Sequence, residues 1–372
     1  MKIKNLLLVA ASGALLTGCF STPENPDEPK EPQKTYLLSK SSSYYKQKRD
    51  DDWARSYFYE YLYDENGHVI EEKQIFFYED EEFVANKNIT EYDELGNETK
   101  YETFTYDYET KQVGYRKTIT YENYDSFGNC GKETEIYYEE PSFVEVSDTV
   151  VTICEFDANG RKTKETEISE LSNEIVTYDY DDNGNLKTKY FVEVQEGVAN
   201  PYKKIEYSYY ENTAYQKDIE TYYYEYEGYE DSPADKHHFE YDENGLMTLY
   251  AIYEDGVLAS SLEWEITSNV SIKETMKNDM PDIGFTVCSV TERVYLNHDY
   301  LLNEDYSGLV SETEYLYDFS ESETPTSKTV ITYTHENGLV TEMIEEQIYY
   351  ENNSDVEFSY SAFKEVNEYI EF

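Results

Sequence analysis

The stretch "YDYDDNGNLKTKY", Tyr178 to Tyr190, admits two readings with different consequences for function. Asp179-x-Asp181-x-Asn183-Gly184 opens like the loop of a helix–loop–helix calcium site, whereas Asn183-Gly184 between alternating residues marks a tight β-turn. The calcium loop needs oxygen ligands at positions 1, 3 and 5, glycine at 6 and a bidentate glutamate at 12. Here position 12 is Tyr190, and in related copies it is Lys73, Glu102, Thr134, Thr166 or Ala251. The one glutamate, Glu102, accompanies Leu95 at position 5, so the metal reading fails. Divalent cations are expected to bind weakly if at all.

The turn reading makes a register prediction. A two-residue Asn183-Gly184 turn would set Tyr180 opposite Lys187, whereas a longer loop with Gly184 in a left-handed bulge sets Tyr180 opposite Leu186. Extended without interruption, the longer loop also pairs Tyr178 with Thr188 and Val176 with Tyr190, keeping apolar residues together. Glycine is required because φ must be positive there, and the Asp that follows the aromatic can bond turn amides.

The motif recurs. "YDENGHV", "YDELGNE", "YDSFGNC", "FDANGRK", "YDDNGNL", "YDENGLM" and "THENGLV" place glycine at Gly67, Gly96, Gly128, Gly160, Gly184, Gly245 and Gly338. The first five are 29, 32, 32 and 24 residues apart, and the two wider gaps accommodate eroded units at "YYENTAY" (Tyr209–Tyr215) and "DYSGLV" (Asp305–Val310). A fixed period of this length means one supersecondary unit used many times. Between turns, "KTITYENY", "TVVTICEFD", "KKIEYSYY" and "KTVITYTH" are rich in β-branched and aromatic residues and alternate polar with apolar. No amphipathic helix follows Cys19. The expectation is an all-β fold, stacked antiparallel β-hairpin repeats forming an extended or curled, solenoid-like sheet with one face in water.

The N-terminus divides the chain into 1–18, 19–35 and 36–372. Lys2 and Lys4 precede an apolar run from Leu6 to Leu16 that is too short for a permanent span. Leu16-Thr17-Gly18-Cys19 resembles the bacterial lipobox, which implies cleavage before Cys19 and attachment of acyl chains (diacylglyceryl, with palmitate) there; multiple chains anchor stably to a membrane. Residues 20–34 carry Pro23, Pro26, Pro29 and Pro32 at the three-residue period of polyproline II, consistent with a tether. With Phe20 and not Asp after the cysteine, the usual lipoprotein sorting rule of a Gram-negative host implies the outer membrane, so a cell-envelope location, at the outer membrane or cell surface, is expected.

Net charge is −50, or −52 once Lys2 and Lys4 leave with the signal. That sign excludes nucleic acid as a partner and favours cations and basic partners. The 43 Tyr and 16 Phe argue against the disorder that such charge could suggest. After Cys19 only Cys130, Cys154 and Cys288 remain; Cys130 and Cys154, in adjacent repeats, either pair or stay free.

Tyr-x-Tyr-Asp-x-x-Gly-[Asn/Arg]-Leu resembles the YD repeat of RHS-type proteins and of many bacterial surface lipoproteins, best in "YDYDDNGNL" and next in "YLYDENGHV" and "FEYDENGLM", over about Tyr57 to Val340. The resemblance implies a β-hairpin scaffold on a cell surface, with carbohydrate as a candidate ligand. The family's toxin domain has no counterpart after "FSYSAFKEVNEYIEF", so toxin delivery is not carried over.

No chemistry of catalysis stands out. The five histidines, His68, His237, His238, His298 and His335, do not suggest a metal triad, and no nucleophile elbow, phosphate loop or His-Glu-x-x-His motif occurs. Catalytic residues, cofactors and metals are therefore not expected, and the chain is read as no enzyme. In "ETYYYEYEGYE", Tyr222, Tyr224 and Tyr226 share one strand face and are the candidate ligand contacts, with cross-strand bracing as the bland alternative. The functional expectation is a glycan- or protein-binding surface module; its rival is an envelope spacer without a specific ligand.

Overall fold

The structure, a computed structural model, describes residues 36–371 apart from short segments at 79–80, 139–144, 171–172, 196, 212, 225–232, 244, 269, 281–283, 297–305, 318–324, 337–338 and 351–356. Twenty-two strands run in chain order from β1 (Tyr36–Lys46), β2 (Ala54–Tyr63) and β3 (Val69–Tyr78) to β20 (Pro325–Glu336), β21 (Leu339–Tyr350) and β22 (Glu357–Glu371). Each strand pairs antiparallel with the next, and β22 pairs with β1 from Tyr36↔Glu371 to Lys46↔Ala362. The sheet therefore closes into a barrel, which corrects the expected open solenoid. One repeat encodes a hairpin and its twist, but not the number of hairpins at which the two free edges meet. Closure satisfies both edges, which an open sheet would leave as templates for aggregation.

The turn prediction holds at its tip. Tyr180 faces Leu186, Tyr63 faces Val69, Tyr92 faces Glu98 and Tyr241 faces Met247. The motif glycines from Gly67 to Gly245 have φ between 77° and 88°, as the bulge requires. Deeper in the hairpin the expected register is wrong by one residue. Asp179 faces Thr188, and Tyr178 and Val176 face Lys189 and Phe191, because Lys187 is accommodated as a second bulge. The hairpins at Tyr63, Tyr92, Phe156 and Tyr241 shift at the same place, as between Leu62 and Tyr63, whereas the one at Gly128 keeps an unbroken register. Where it occurs, this doubled bulge adds twist and bend at the turn.

The last motif differs. Gly338 lies outside the described residues, but Glu336↔Leu339 and His335↔Val340 leave a shorter connection than in the other copies. His335 occupies the Asp position and bonds the Ser307 carbonyl instead. Both eroded units fall between strands as expected: Tyr209 faces Gln216 across one, and Tyr306–Gly308 forms a 3₁₀ turn leading into β19 (Leu309–Tyr317) at the other.

Strand pairing defines two walls. Tyr57, Tyr59, Tyr61, Glu72, Glu345, Phe363 and Glu365 belong to one; Phe58, Glu60, Glu71, Lys73 and Lys364 belong to the other. Contacts that skip a strand occur on the first wall, such as Tyr57 with Phe363 at 6.5 Å across β1. Side chains converge on a concave surface and diverge on a convex one, so the first wall faces the lumen.

Burial is sparse. The exposed area is 24161 Å², where a compact chain of this mass would show about 15,000 Å². The main apolar cluster, Leu246, Ile272, Tyr295 and Leu309 with Trp264 and Tyr333 against it, joins successive hairpin ends. The outer wall instead carries ion pairs along its strands, including Lys87–Glu71, Lys100–Glu102–Arg116 and Lys277–Glu263. A membrane-spanning barrel presents an apolar band about 25 Å tall, where each Lys or Arg costs roughly 2–4 kcal/mol at the midplane. Among the described residues the outer wall intersperses such charges along its strands.

Candidate functional site: the inner wall

The motif residues assemble the rim from which β1 begins and at which β22 ends. In the turns that carry Asp, its carboxylate clamps the loop. Asp64 Oδ1 accepts from the amides of Asn66 and His68 at 2.8 and 2.9 Å, and Asp157 repeats this with Asn159 and Arg161. Desolvation would raise the Asp64 carboxyl, yet bonds from His68 and Asn66 outweigh it and bring it down to about 2. Asp93 and Asp125 are held low chiefly by the Asn97 and Asn129 side chains, and Asp157 by the Arg161 amide.

The motif aromatics stitch one hairpin to the one before. Tyr63, Tyr92, Tyr124, Tyr180 and Tyr209 donate their hydroxyls to the carbonyls of Leu38, Val69, Glu98, Lys162 and Leu186 at 2.6–3.1 Å. From Val69 onward, the acceptor is the residue that ends the preceding motif. Turns also pack on one another: His68 lies over Gly96 and stacks on Tyr92 at 4.6 Å, and Arg161 lies over Gly184 with its guanidinium 4.6 Å from the Tyr180 ring. The glycines and turn tyrosines thus build the rim, a role whose repetition was visible in sequence but whose hairpin-to-hairpin contacts were not.

Of the expected tyrosine ladder, only Tyr222 and Tyr224 lie within the described residues. Tyr222 sits on the outer wall, donating to Glu220 at 3.0 Å with Lys204 Nζ 4.0 Å from its ring. Tyr224 follows the end of its strand, with its amide bonded to the Tyr202 carbonyl, and Tyr226 lies outside the described residues. Cys19 also lies outside them. His237 and His238 point to opposite walls, toward Tyr250 and Asp218. No group of three His, Cys, Asp or Glu side chains suited to a metal occurs among the described residues. Cys130 and Cys154 carry free thiols and line one shallow cleft of about 450 Å³ with Glu133, Glu165 and Lys162; Cys288 is buried and free.

The tyrosine run that does assemble is on β2. Tyr57 and Tyr59 meet edge to face at 5.7 Å, and Tyr59 stacks on Tyr61 at 6.4 Å, all facing the lumen. Around them stand Glu72 and Glu365, and farther along the wall Tyr333 stands among Glu312, Glu345 and Glu365. Burial first, then these carboxylates, raise the phenols: Tyr59 is shifted up, Tyr61 strongly so, and Tyr333 to about 12. Burial and neighbouring Glu312 likewise raise the Glu314 carboxyl. Such a wall offers flat apolar rings, hydroxyls and excess negative charge. Period-two spacing in "YFYEYLY" put the four tyrosines on one face; which face became the lumen was not in the spacing.

No protein-family model and no curated protein matches the chain. Among solved structures it is similar to a porin-like protein from Bacteroides uniformis, at 11% identity and a TM-score of 0.27 over 90% of this chain and 96% of that one. It is also similar to a porin-like protein from Bacteroides vulgatus, at 8% identity and a TM-score of 0.18 over 90% and 98%. A third is transferrin binding protein B of Haemophilus parasuis, a double mutant, at 8% identity and a TM-score of 0.17 over 91% and 77%. Likeness at these scores carries no argument, and the barrel stands on its own strand pairings.

Proposed function

We propose that this chain is a lipid-anchored lipoprotein of the cell envelope, at the outer membrane or cell surface, that binds a glycan or protein ligand without catalysis. The observation that carries the reading is the contiguous Tyr57–Tyr59–Tyr61 run on a lumenal wall rich in carboxylates. Tyrosine supplies rigid rings for sugar faces or side chains and a hydroxyl for polar edges, and carboxylates accept hydrogen bonds from sugar hydroxyls. The tether would enter at Tyr36, on the motif rim, which leaves the opposite rim free to admit ligand. Resemblance to YD-repeat surface proteins and a lipobox at Cys19 support the location.

One observation favours the spacer reading: Tyr63, Tyr92 and Tyr124 spend their hydroxyls on neighbouring backbone. The two readings separate on the purified full-length chain, applied to a broad glycan array with and without millimolar calcium. Saturable binding lost in Tyr59→Ala/Tyr61→Ala, and kept in Tyr222→Ala, is expected. Silence on the array and against surface-protein extracts, from a chain shown to be folded, would leave the spacer. Incorporation of labelled palmitate, abolished by Cys19→Ala, tests the anchor separately.

A further inference from the structure

On the outer wall most carboxylates have a cation within reach. Around the seam where the barrel closes, Lys40 lies by Glu60, Lys73 and Lys87 by Glu71, and Lys364 by Glu342. On the inner wall of the same strands, β20 through β22 and β1 through β3, the register places Glu345, Glu365 and Glu72 and no Lys or Arg among the described residues. The nearest inner-wall cation, Arg293, is already engaged by Glu274 and Glu312 at 3.2 and 2.5 Å. The pairing that the outer wall completes is left incomplete inside.

A second observation lies at the same place. Ser43 is only 1% exposed, faces Tyr57 on one side and Glu365 on the other, and its Oγ has no hydrogen-bond partner. Two residues along β22 from Glu365, Asn367 has its Nδ2 bonded to the Val340 carbonyl while its buried Oδ1 has no partner. An unpaired buried polar atom is destabilising, a cost that a bound donor would recover. The rings of Tyr57, Tyr59 and Tyr61 stand beside these groups.

We infer that the inner wall at the β22–β1 seam binds an organic ammonium group, with Glu365 as counter-ion, Ser43 Oγ and Asn367 Oδ1 as acceptors, and the Tyr57–Tyr61 rings as cation–π faces. This rests on the reading of the lumen as a binding surface and names the ligand's chemistry. The chain builds the same grouping for itself, as where Lys204 Nζ lies 4.0 Å from the Tyr222 ring and 3.0 Å from Glu206. A bare metal fits less well, because it needs six or more converging oxygens, whereas an ammonium is satisfied by a carboxylate, a few acceptors and a ring.

The test is calorimetric titration of the full-length chain with spermidine at about 0.15 M salt, where diffuse attraction to the charged surface is screened. The expected result is saturable binding, weakened about tenfold or more by Glu365→Gln and by Tyr61→Leu and unchanged by Glu206→Gln on the outer wall. Ser43→Ala removes one hydroxyl and little volume, so it should weaken binding without lowering the thermal midpoint. Non-saturating uptake, or equal loss in Glu206→Gln and Glu365→Gln, would reduce the effect to counter-ion attraction and overturn the inference. Glycan or protein binding without amine binding would overturn it too while leaving the lumenal-receptor reading standing; loss of every ligand would sink both.

Discussion

Glycine at the motif tip meets two separate demands, and the structure allows them to be measured apart. Gly160 has φ 77°, and a Cβ there would come 2.8 Å from Phe127 Cγ; Gly197 has φ 79° with nothing within 4 Å. Gly197→Ala should therefore cost the backbone strain alone, about 1 kcal/mol, and Gly160→Ala roughly twice that. Equal shifts in denaturant midpoint would show that turn-to-turn packing contributes nothing. Phe156 is the one motif aromatic without a hydroxyl among the copies from Tyr63 to Tyr209. By the stitch pattern, Phe156→Tyr would reach the Cys130 carbonyl and stabilise by about 1 kcal/mol, whereas Tyr92→Phe should lose a similar amount. An unchanged midpoint in Phe156→Tyr would mean that the stitch depends on local geometry that this copy lacks.

At the scale of the hairpin, the Asp clamp decides the connection. Copies with Asp, such as those at Tyr63, Tyr92, Phe156 and Tyr180, close around five intervening residues; the copy with His335 instead closes on a shorter connection. The depressed carboxyls of Asp64, Asp93, Asp125 and Asp157 bind protons more weakly folded than unfolded. Their contribution is present above the ordinary carboxylate range at about pH 4 and is lost as pH falls through their lowered values, which for Asp64 is about 2. Circular dichroism followed through that window should show the folded signal failing, and Asp93→Asn/Asp157→Asn should flatten the dependence. An undiminished slope in that double variant would assign acid unfolding to other carboxylates. Sequence made the turns, the motif glycines and the tip register legible because all are local. The second bulge was not legible, since a residue such as Lys187 is extruded by the twist of the paired strands and not by its own preference.

The whole molecule is a closed wall with little conventional core, held by cross-strand pairs and backbone ladders worth a few tenths of a kcal/mol to about 1 kcal/mol each. Its closure is directly testable. Ser42 and Val366 are partners across β1 and β22, 324 positions apart in the chain. Ser42→Cys/Val366→Cys should form a disulfide on mild oxidation, detected as a mobility shift reversed by reductant, whereas an open sheet would hold these residues far apart. Failure to cross-link, with a control pair such as Ser42→Cys/Phe58→Cys succeeding, would return the fold to an open array.

Short-range chemistry alone wrote an all-β chain, hairpins punctuated by Asp-x-x-Gly, tyrosines on alternating faces and an acidic balance. The expectation of Tyr222, Tyr224 and Tyr226 as contacts rested on local density of rings, which does not distinguish an outer wall from a lumen. Only the tertiary structure decided that the sheet closes at its twenty-second strand, that Tyr57, Tyr59 and Tyr61 face inward, and that Ser43 lies unpaired between Tyr57 and Glu365. The reason is physical: strand alternation fixes which residues share a face, but which face becomes concave depends on twist accumulated over every hairpin until the edges meet.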